Sequence, residues 1–142
     1  MRDYSEIVDD FSFLDDWEDR YRYVIELGRE LAELDDAERN ERTKVNGCAS
    51  QVWLVTSVGG QSGAPVLTFR GDSDALIVKG LIAILISIYS GRPAAEIAGT
   101  DAYAMLEEID LQQNLSQQRS NGLRSMVNRI HADANAAVAA TV

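Results

Sequence analysis

Gln51-Val52-Trp53-Leu54-Val55-Thr56-Ser57-Val58 is followed by Gly59-Gly60-Gln61-Ser62-Gly63 and then, past Ala64-Pro65, by Val66-Leu67-Thr68-Phe69-Arg70. The first run alternates. Val52, Leu54, Thr56 and Val58 fall on one face of an extended chain, and Trp53 and Val55 on the other. Its β-branched and aromatic residues favour a strand. The glycine-rich stretch predicts a turn, and Val66 to Arg70 pairs back as the second strand of a hairpin. Ser73 to Ser90 then stays apolar over more residues than an ordinary strand holds, which predicts a buried helix. Consecutive strands joined by a short turn make an antiparallel sheet. Helices come before and after it rather than between its strands. The architecture is α+β, a small antiparallel β-sheet packed against helices, and not a doubly wound fold.

Outward from the hairpin the signals are helical. Asp3 with Glu6 three residues later predicts an N-cap and a helix from about Tyr4 to Phe13. Asp15 or Asp16 opens a longer helix in which Trp17, Tyr21, Val24, Gly28 and Leu31 recur on one face. Leu34 to Thr43 is too charged to pack and reads as a loop, and Val45 falls in a short strand. Gly91 ends the buried helix and Pro93 starts a short one. Thr100 or Asp101 caps another through Ile109. Ser116 caps a last helix from about Gln117 to Ala137, and its alanine-rich tail, about 138–142, is expected to fray. Trp17 and Trp53 are expected to be packing residues.

The chain of 142 residues is predicted to form one domain, residues 1–142. Its acidic N-terminus lacks the basic start and apolar centre of a signal peptide. Ala75 to Tyr89, interrupted by Lys79, is shorter than the roughly 20 residues needed to span a bilayer. No membrane partner is expected, and a cytoplasmic setting is. The net charge of −10 is uneven: residues 1–41 hold 15 acids against 5 arginines, and residues 42–142 balance at 8 each. Phosphate binding needs a basic surface, so nucleic acid is excluded as an expected partner. The acids suit solvated helix faces, and they also suit steering toward a basic partner.

Cys48 is the only cysteine and His131 the only histidine. Zinc or an iron–sulfur cluster needs three or four such ligands, so no metal site is expected. There is no GxGxxG, no P-loop and no G-x-S-x-G elbow. His131, on the last helix, is expected to be a surface residue rather than a catalytic base. Cys48 stands between Asn46-Gly47 and Ala49-Ser50-Gln51, a short mobile loop between extended segments. Cysteine is among the most buried residue types, so a core filler is one reading. Its polar and small neighbours favour the other, a reactive thiol. That role requires the thiolate, which Lys44 and Arg42, close in sequence, would favour. The local residues leave both readings open.

The chain resembles the SufE family of sulfur-acceptor proteins. Val45-Asn46-Gly47-Cys48-Ala49-Ser50-Gln51-Val52-Trp53 resembles the family's active-site loop and following strand. Phe69-Arg70-Gly71-Asp72-Ser73-Asp74-Ala75-Leu76-Ile77-Val78-Lys79-Gly80-Leu81 resembles its second strand and central helix start. Leu115-Ser116-Gln117-Gln118-Arg119-Ser120-Asn121-Gly122-Leu123 resembles the opening of its last helix, although Gln117 replaces a usual proline. The early helices, with Asp16-Trp17-Glu18-Asp19-Arg20-Tyr21 and Ile25-Glu26-Leu27-Gly28, also fit, and the likeness runs from about Ile7 to Ile130.

The resemblance implies a SufE/IscU-like fold and a carrier rather than an enzyme in its own right. Cys48 would accept sulfur as a persulfide from a SufS-like, pyridoxal-phosphate-dependent cysteine desulfurase, speed that enzyme's turnover, and pass sulfur to a SufBCD-like scaffold complex. The cofactor belongs to the desulfurase, and none is expected on this chain. Asn46, Gly47, Ala49, Ser50 and Gln51 form the implied active-site loop, with Gln51 holding it by hydrogen bonding. Asp72, Asp74 and Arg119 are candidates for the partner face, with Asp72 or Ser73 also a candidate helix cap. Gly122, unfavourable inside a helix, points to a close packing contact. The rival readings are a non-catalytic interaction module and an iron–sulfur scaffold-like protein; the single cysteine argues against the second.

Overall fold

A computed structural model describes residues 2–61 and 63–140. Helices α1 (Tyr4–Ser12) and α2 (Trp17–Arg29) lead into a hairpin of β1 (Val52–Gln61) and β2 (Ala64–Ser73). Helix α3 (Leu76–Tyr89), the short edge strand β3 (Arg92–Pro93), α4 (Ala94–Ala98), α5 (Ala102–Glu107) and the long α6 (Gln117–Ala139) follow. The sheet is antiparallel throughout, in the order β1-β2-β3. The α+β architecture read from the sequence is the one observed.

The helix starts follow local chemistry. The Asp3 carboxylate accepts the Glu6 N–H at 2.9 Å and caps α1, and Asp16, rather than Asp15, does the same for the Asp19 N–H and α2. Each satisfies a backbone donor that the first turn leaves without a partner. Ser116 caps α6 and Asp101 caps α5. Helix α3 is buried almost all round, as an evenly apolar helix must be. It packs so closely on α2 that a Cβ on Gly28 would stand 2.6 Å from the Gly80 nitrogen, and one on Gly80 would strike the Val24 carbonyl oxygen.

Several sequence expectations are corrected. The turn expected at 59–63 is shorter: Gly59, Gly60 and Gln61 remain in the ladder, with Gln61 opposite Ala64, and Ser62 lies outside the described residues. Gly60 takes a positive φ of 86°, a backbone shape closed to most side chains, so the strand twists here instead of ending. The tip runs past the core, and Val58, placed by alternation on the same face as buried Val52 and Leu54, is 64% exposed. Strand β3 was not foreseen; Gly91 turns the chain so that Arg92 and Pro93 pair with Leu67 and Val66. Val45 lies in no strand, but beside an isolated bridge between Lys44 and Trp53. Helix α5 ends at Glu107, and α6 continues to Ala139. Residues 141 and 142 of the tail expected to fray lie outside the described residues.

The segment 34–43 is not an unpacked loop. Leu34 is buried, Asp36–Glu38 form a 3₁₀ turn, Glu38 pairs with Arg70, and Arg39 pairs with Asp72. Its charges are matched across space, which local composition does not reveal. Trp17 packs edge-on against Phe11, as expected of a packing residue.

The α2–α3 crossing predicts an unusual mutational sign. Alanine at an exposed helix glycine stabilises, but Gly80→Ala should destabilise by about 1–3 kcal/mol through overpacking. The check is the urea midpoint of the variant. An unchanged or raised midpoint would contradict the close crossing.

Candidate functional site

The segment Asn46–Ser50 crosses from the Lys44 bridge to β1 with little backbone support of its own. Among the described residues it makes no backbone–backbone hydrogen bond. Its ends are fixed instead. On one side the Val45 N–H donates to the Val52 carbonyl and the Leu54 N–H to the Thr43 carbonyl, both at 2.8 Å. On the other, the Gln51 N–H donates to the Asp74 carboxylate at 3.0 Å, and the Ser73 hydroxyl donates to the Gln51 carbonyl at 2.7 Å. Gln51 thus anchors the loop as expected, through its backbone and not its side chain. Gly47 has a φ of 92° and lies against α6, where a Cβ would stand 2.6 Å from Ser125 Oγ. Position 47 therefore favours glycine for its backbone shape, while a Cβ there would also push the Ser125 hydroxyl aside.

Cys48 is half-buried, with Sγ 3.7 Å from the Gly122 carbonyl oxygen of α6. That is a long, weak thiol contact. A methyl group at 122 would stand 3.7 Å from Sγ, an ordinary van der Waals distance, so the tight packing contact expected to demand glycine there is not found. The sulfur opens onto a cleft of about 170 Å³ lined by Ala49, Ser50, Val78, Leu81, Arg119 and Met126, among others. Burial alone pushes the thiol pKa up. The support expected from Lys44 and Arg42 is not there: burial is the only influence on the thiol, and neither cation offsets it. Partial burial thus disfavours the thiolate in the resting protein, because a charge in the cleft is solvated less well than in water.

The other candidates separate. Arg119 is exposed at the rim of the Cys48 cleft and makes no ion pair among the described residues. Asp74 is exposed while its carboxylate holds Gln51. Asp72 does not join them on a surface. It is 8% exposed and accepts from Arg39 at 3.0 Å, from Lys79 at 3.4 Å and from the Ser73 N–H at 2.8 Å. Burial works against its charge, but these donors outweigh it and hold the carboxyl below the ordinary range. Nor does Asp72 or Ser73 cap α3: the cap position is Ala75, and Ser73 Oγ accepts only the Ala75 N–H just before the helix. The strand runs three residues further than expected, to Ser73, so the acid falls inside the sheet corner. His131 is not a free surface residue; its Nε2 lies 2.9 Å from the hydroxyl of buried Tyr89, in a different cleft from Cys48. Among the described residues no cluster of His, Cys, Asp and Glu side chains forms a metal site.

Three residues escaped the sequence reading, Ser125, Arg129 and Asp133, which line up with the already noted Gly122. Gly122, Ser125, Arg129 and Asp133 form a stripe along α6, and they meet Cys48, Gly47, the carbonyls of Lys44 and Arg42, and Thr56 respectively. The signal was present as small and polar residues recurring at helical spacing on one face of an otherwise apolar-backed helix.

Residues 5–134 match the family SufE, described as an Fe-S metabolism associated domain. An uncharacterized SufE-like protein of Rhizobium etli is 58% identical over 99% of this chain and 95% of its own. A second, from Rhizobium meliloti, is 54% identical over 94% of this chain and 96% of its own. The fold also matches the solution structure of a hypothetical protein from Thermus thermophilus, with a TM-score of 0.74 at 16% identity over 96% of both chains.

The sheltered thiol predicts a pH dependence. Only the thiolate is alkylated, and a raised pKa moves the onset of reaction upward. The rate of Cys48 modification by iodoacetamide should titrate with a midpoint above the roughly 8.5 of a free cysteine. Unfolding in urea should return it to that value. A native midpoint at or below the free value would contradict the closed loop.

Proposed function

We propose that this chain, which belongs to the SufE family, accepts sulfur on Cys48 from a pyridoxal-phosphate-dependent cysteine desulfurase and passes it on for iron–sulfur cluster assembly. The observation that carries the reading is the placement of the only cysteine. Cys48 sits in the middle of a loop fixed at both ends and free between them, beside an open cleft, within the stretch that matches the family's active-site loop.

The chemistry is thiol exchange. The desulfurase carries the sulfur as a persulfide on its own cysteine. The Cys48 thiolate attacks the outer sulfur of that group. A new S–S bond forms at Cys48, the S–S bond to the desulfurase cysteine breaks, and that cysteine leaves as a thiolate. One sulfur moves with no net oxidation, and the proton that Cys48 gives up is balanced by protonation of the leaving thiolate. Such a step depends on the attacking thiolate and on access to the outer sulfur. Both are suppressed in the closed loop and restored if Asn46–Ser50 swings out toward the partner. The closed position in turn shields the bound persulfide from stray thiols.

On this reading the protein is a carrier that activates a SufS-like enzyme in the cytoplasm, and a SufBCD-like complex is the recipient. The pyridoxal phosphate is the desulfurase's. Exposed Asp74 and Arg119 flank the loop and belong to the docking face; Arg119, with no ion pair among the described residues, is suited to meet an acid on the partner. Among the described residues no helix is long and apolar enough to cross a membrane.

Mixing the protein with a desulfurase, pyridoxal phosphate and free cysteine, then measuring intact mass, tests this. The expected result is a gain of one or more sulfur atoms that dithiothreitol removes and that Cys48→Ser lacks. An equal gain in Cys48→Ser, or none with the desulfurase of the same cell, would overturn the assignment.

A further inference from the structure

We infer that Arg129 is a positioning residue for Cys48: its guanidinium clasps the stem of the thiol loop onto α6 and so sets how often the sulfur leaves its cleft. The Arg129 side chain donates from Nη1 to the Lys44 carbonyl at 3.2 Å and from Nη2 to the Arg42 carbonyl. Its Nε faces Asp133 at 3.4 Å. Asp133 in turn accepts the Thr56 hydroxyl of β1 at 2.6 Å. The fork is therefore fixed from behind by an acid tied to the sheet, and its two remaining nitrogens point at two carbonyls of the stem. Arg129 and Asp133 are both half-buried, 30% and 25% exposed.

The clasp matters because Asn46–Ser50 has almost no hydrogen bonds of its own, so its position follows the stem, which Asn40 and β1 also hold. Among the described residues, the one hydrogen bond made by Asn46 to Ser50 is the weak thiol contact with Gly122. The position of Cys48 is consequently decided at the two ends. Gln51 is held by Ser73 and Asp74, and the stem at Arg42–Val45 is held by β1 on one edge and by Arg129 on the other. Gly47 follows directly, lying against Ser125 one turn before Arg129, and Cys48 then falls over Gly122. A planar fork that reaches two carbonyls and a carboxylate together is a task for arginine; a lysine ammonium matches neither the reach nor the geometry. The relevance of the clasp to sulfur acceptance rests on the function proposed above. Its effect on exposure of the thiol does not.

The test compares iodoacetamide modification of Cys48 in the wild type, Arg129→Gln, Arg129→Lys and Asp133→Asn, well below their melting temperatures, with Tm recorded for each. Where opening is fast, the rate reports the open population. Arg129→Gln and Arg129→Lys should each react about tenfold faster, the scale of losing one charge-assisted hydrogen bond. Asp133→Asn keeps the donors to the Arg42 and Lys44 carbonyls but loosens the fork from behind, and should speed the reaction less than either Arg129 variant at an equal loss of Tm. Wild-type rates in both Arg129 variants would overturn the inference. So would acceleration in all variants in proportion to lost Tm, which marks a merely structural residue. Sulfur loading measured on the same proteins can fail while the alkylation pattern holds, which separates this inference from the proposed function.

Discussion

The thiol loop lies along a single stripe of α6, and the rest of the structure serves to keep that stripe in place. The stripe's reverse side carries Leu123, Val127, Ile130 and Ala134, all buried in the core. The core is organised around α3, an apolar helix that meets α2 through glycines and leaves no room for even a methyl group at Gly28 or Gly80. Were α3 displaced by an ångström, Val78 and Leu81 would shift in the wall of the Cys48 cleft. Interiors packed this closely transmit displacement rather than absorb it. The position of one sulfur atom thus depends on a helix crossing remote from it in sequence.

The electrostatics divide along the same lines. The strongly acidic N-terminal third contributes exposed carboxylates on α1 and α2, several paired only with neighbours on the same helix. Such pairs are worth little. The Asp72 group is different. One nearly buried carboxylate gathers Arg39 from the 34–43 segment, Lys79 from α3 and the Ser73 N–H, next to the residues that hold Gln51. It ties the 34–43 segment and α3 to the corner at which the thiol loop ends. Removing one member would leave buried charge without a partner, which is the costly case. Cys48 shows the opposite strategy: no cation is placed to ionise it, and burial keeps it neutral. On the function proposed above, a carrier that is inert until docked would gain by that arrangement, since the partner would then supply the setting in which the thiolate forms.

Much of this was legible from residues alone. Alternation from Val52, the apolar run into α3 and the caps at Asp3, Asp16 and Ser116 are local signals, and the elements they predict are present. The loop around Cys48 was legible as well, because glycine and small polar residues before a strand have few other uses. What escaped was long-range and polar. Arg39 and Asp72 are 33 positions apart, and Arg129 and Lys44 are 85 apart. No periodicity marks such pairs, so a charged segment that is pinned reads as one that is solvated. The same blindness placed His131 on the surface, although it meets the hydroxyl of a buried tyrosine. Near the hairpin tip, glycines that read as a turn stay in register because the ladder needs only backbone.

The central claim is that Cys48 takes sulfur directly from a partner's persulfide. The most direct measurement is a single turnover with labelled sulfur. A desulfurase is loaded from ³⁵S-cysteine, freed of unreacted amino acid, and mixed with an equal amount of this protein. The predicted result is that label leaves the enzyme and appears on this chain in a form released by dithiothreitol, with none on a Cys48→Ser chain. Label that stays on the desulfurase, or that reaches the serine variant equally, would contradict it.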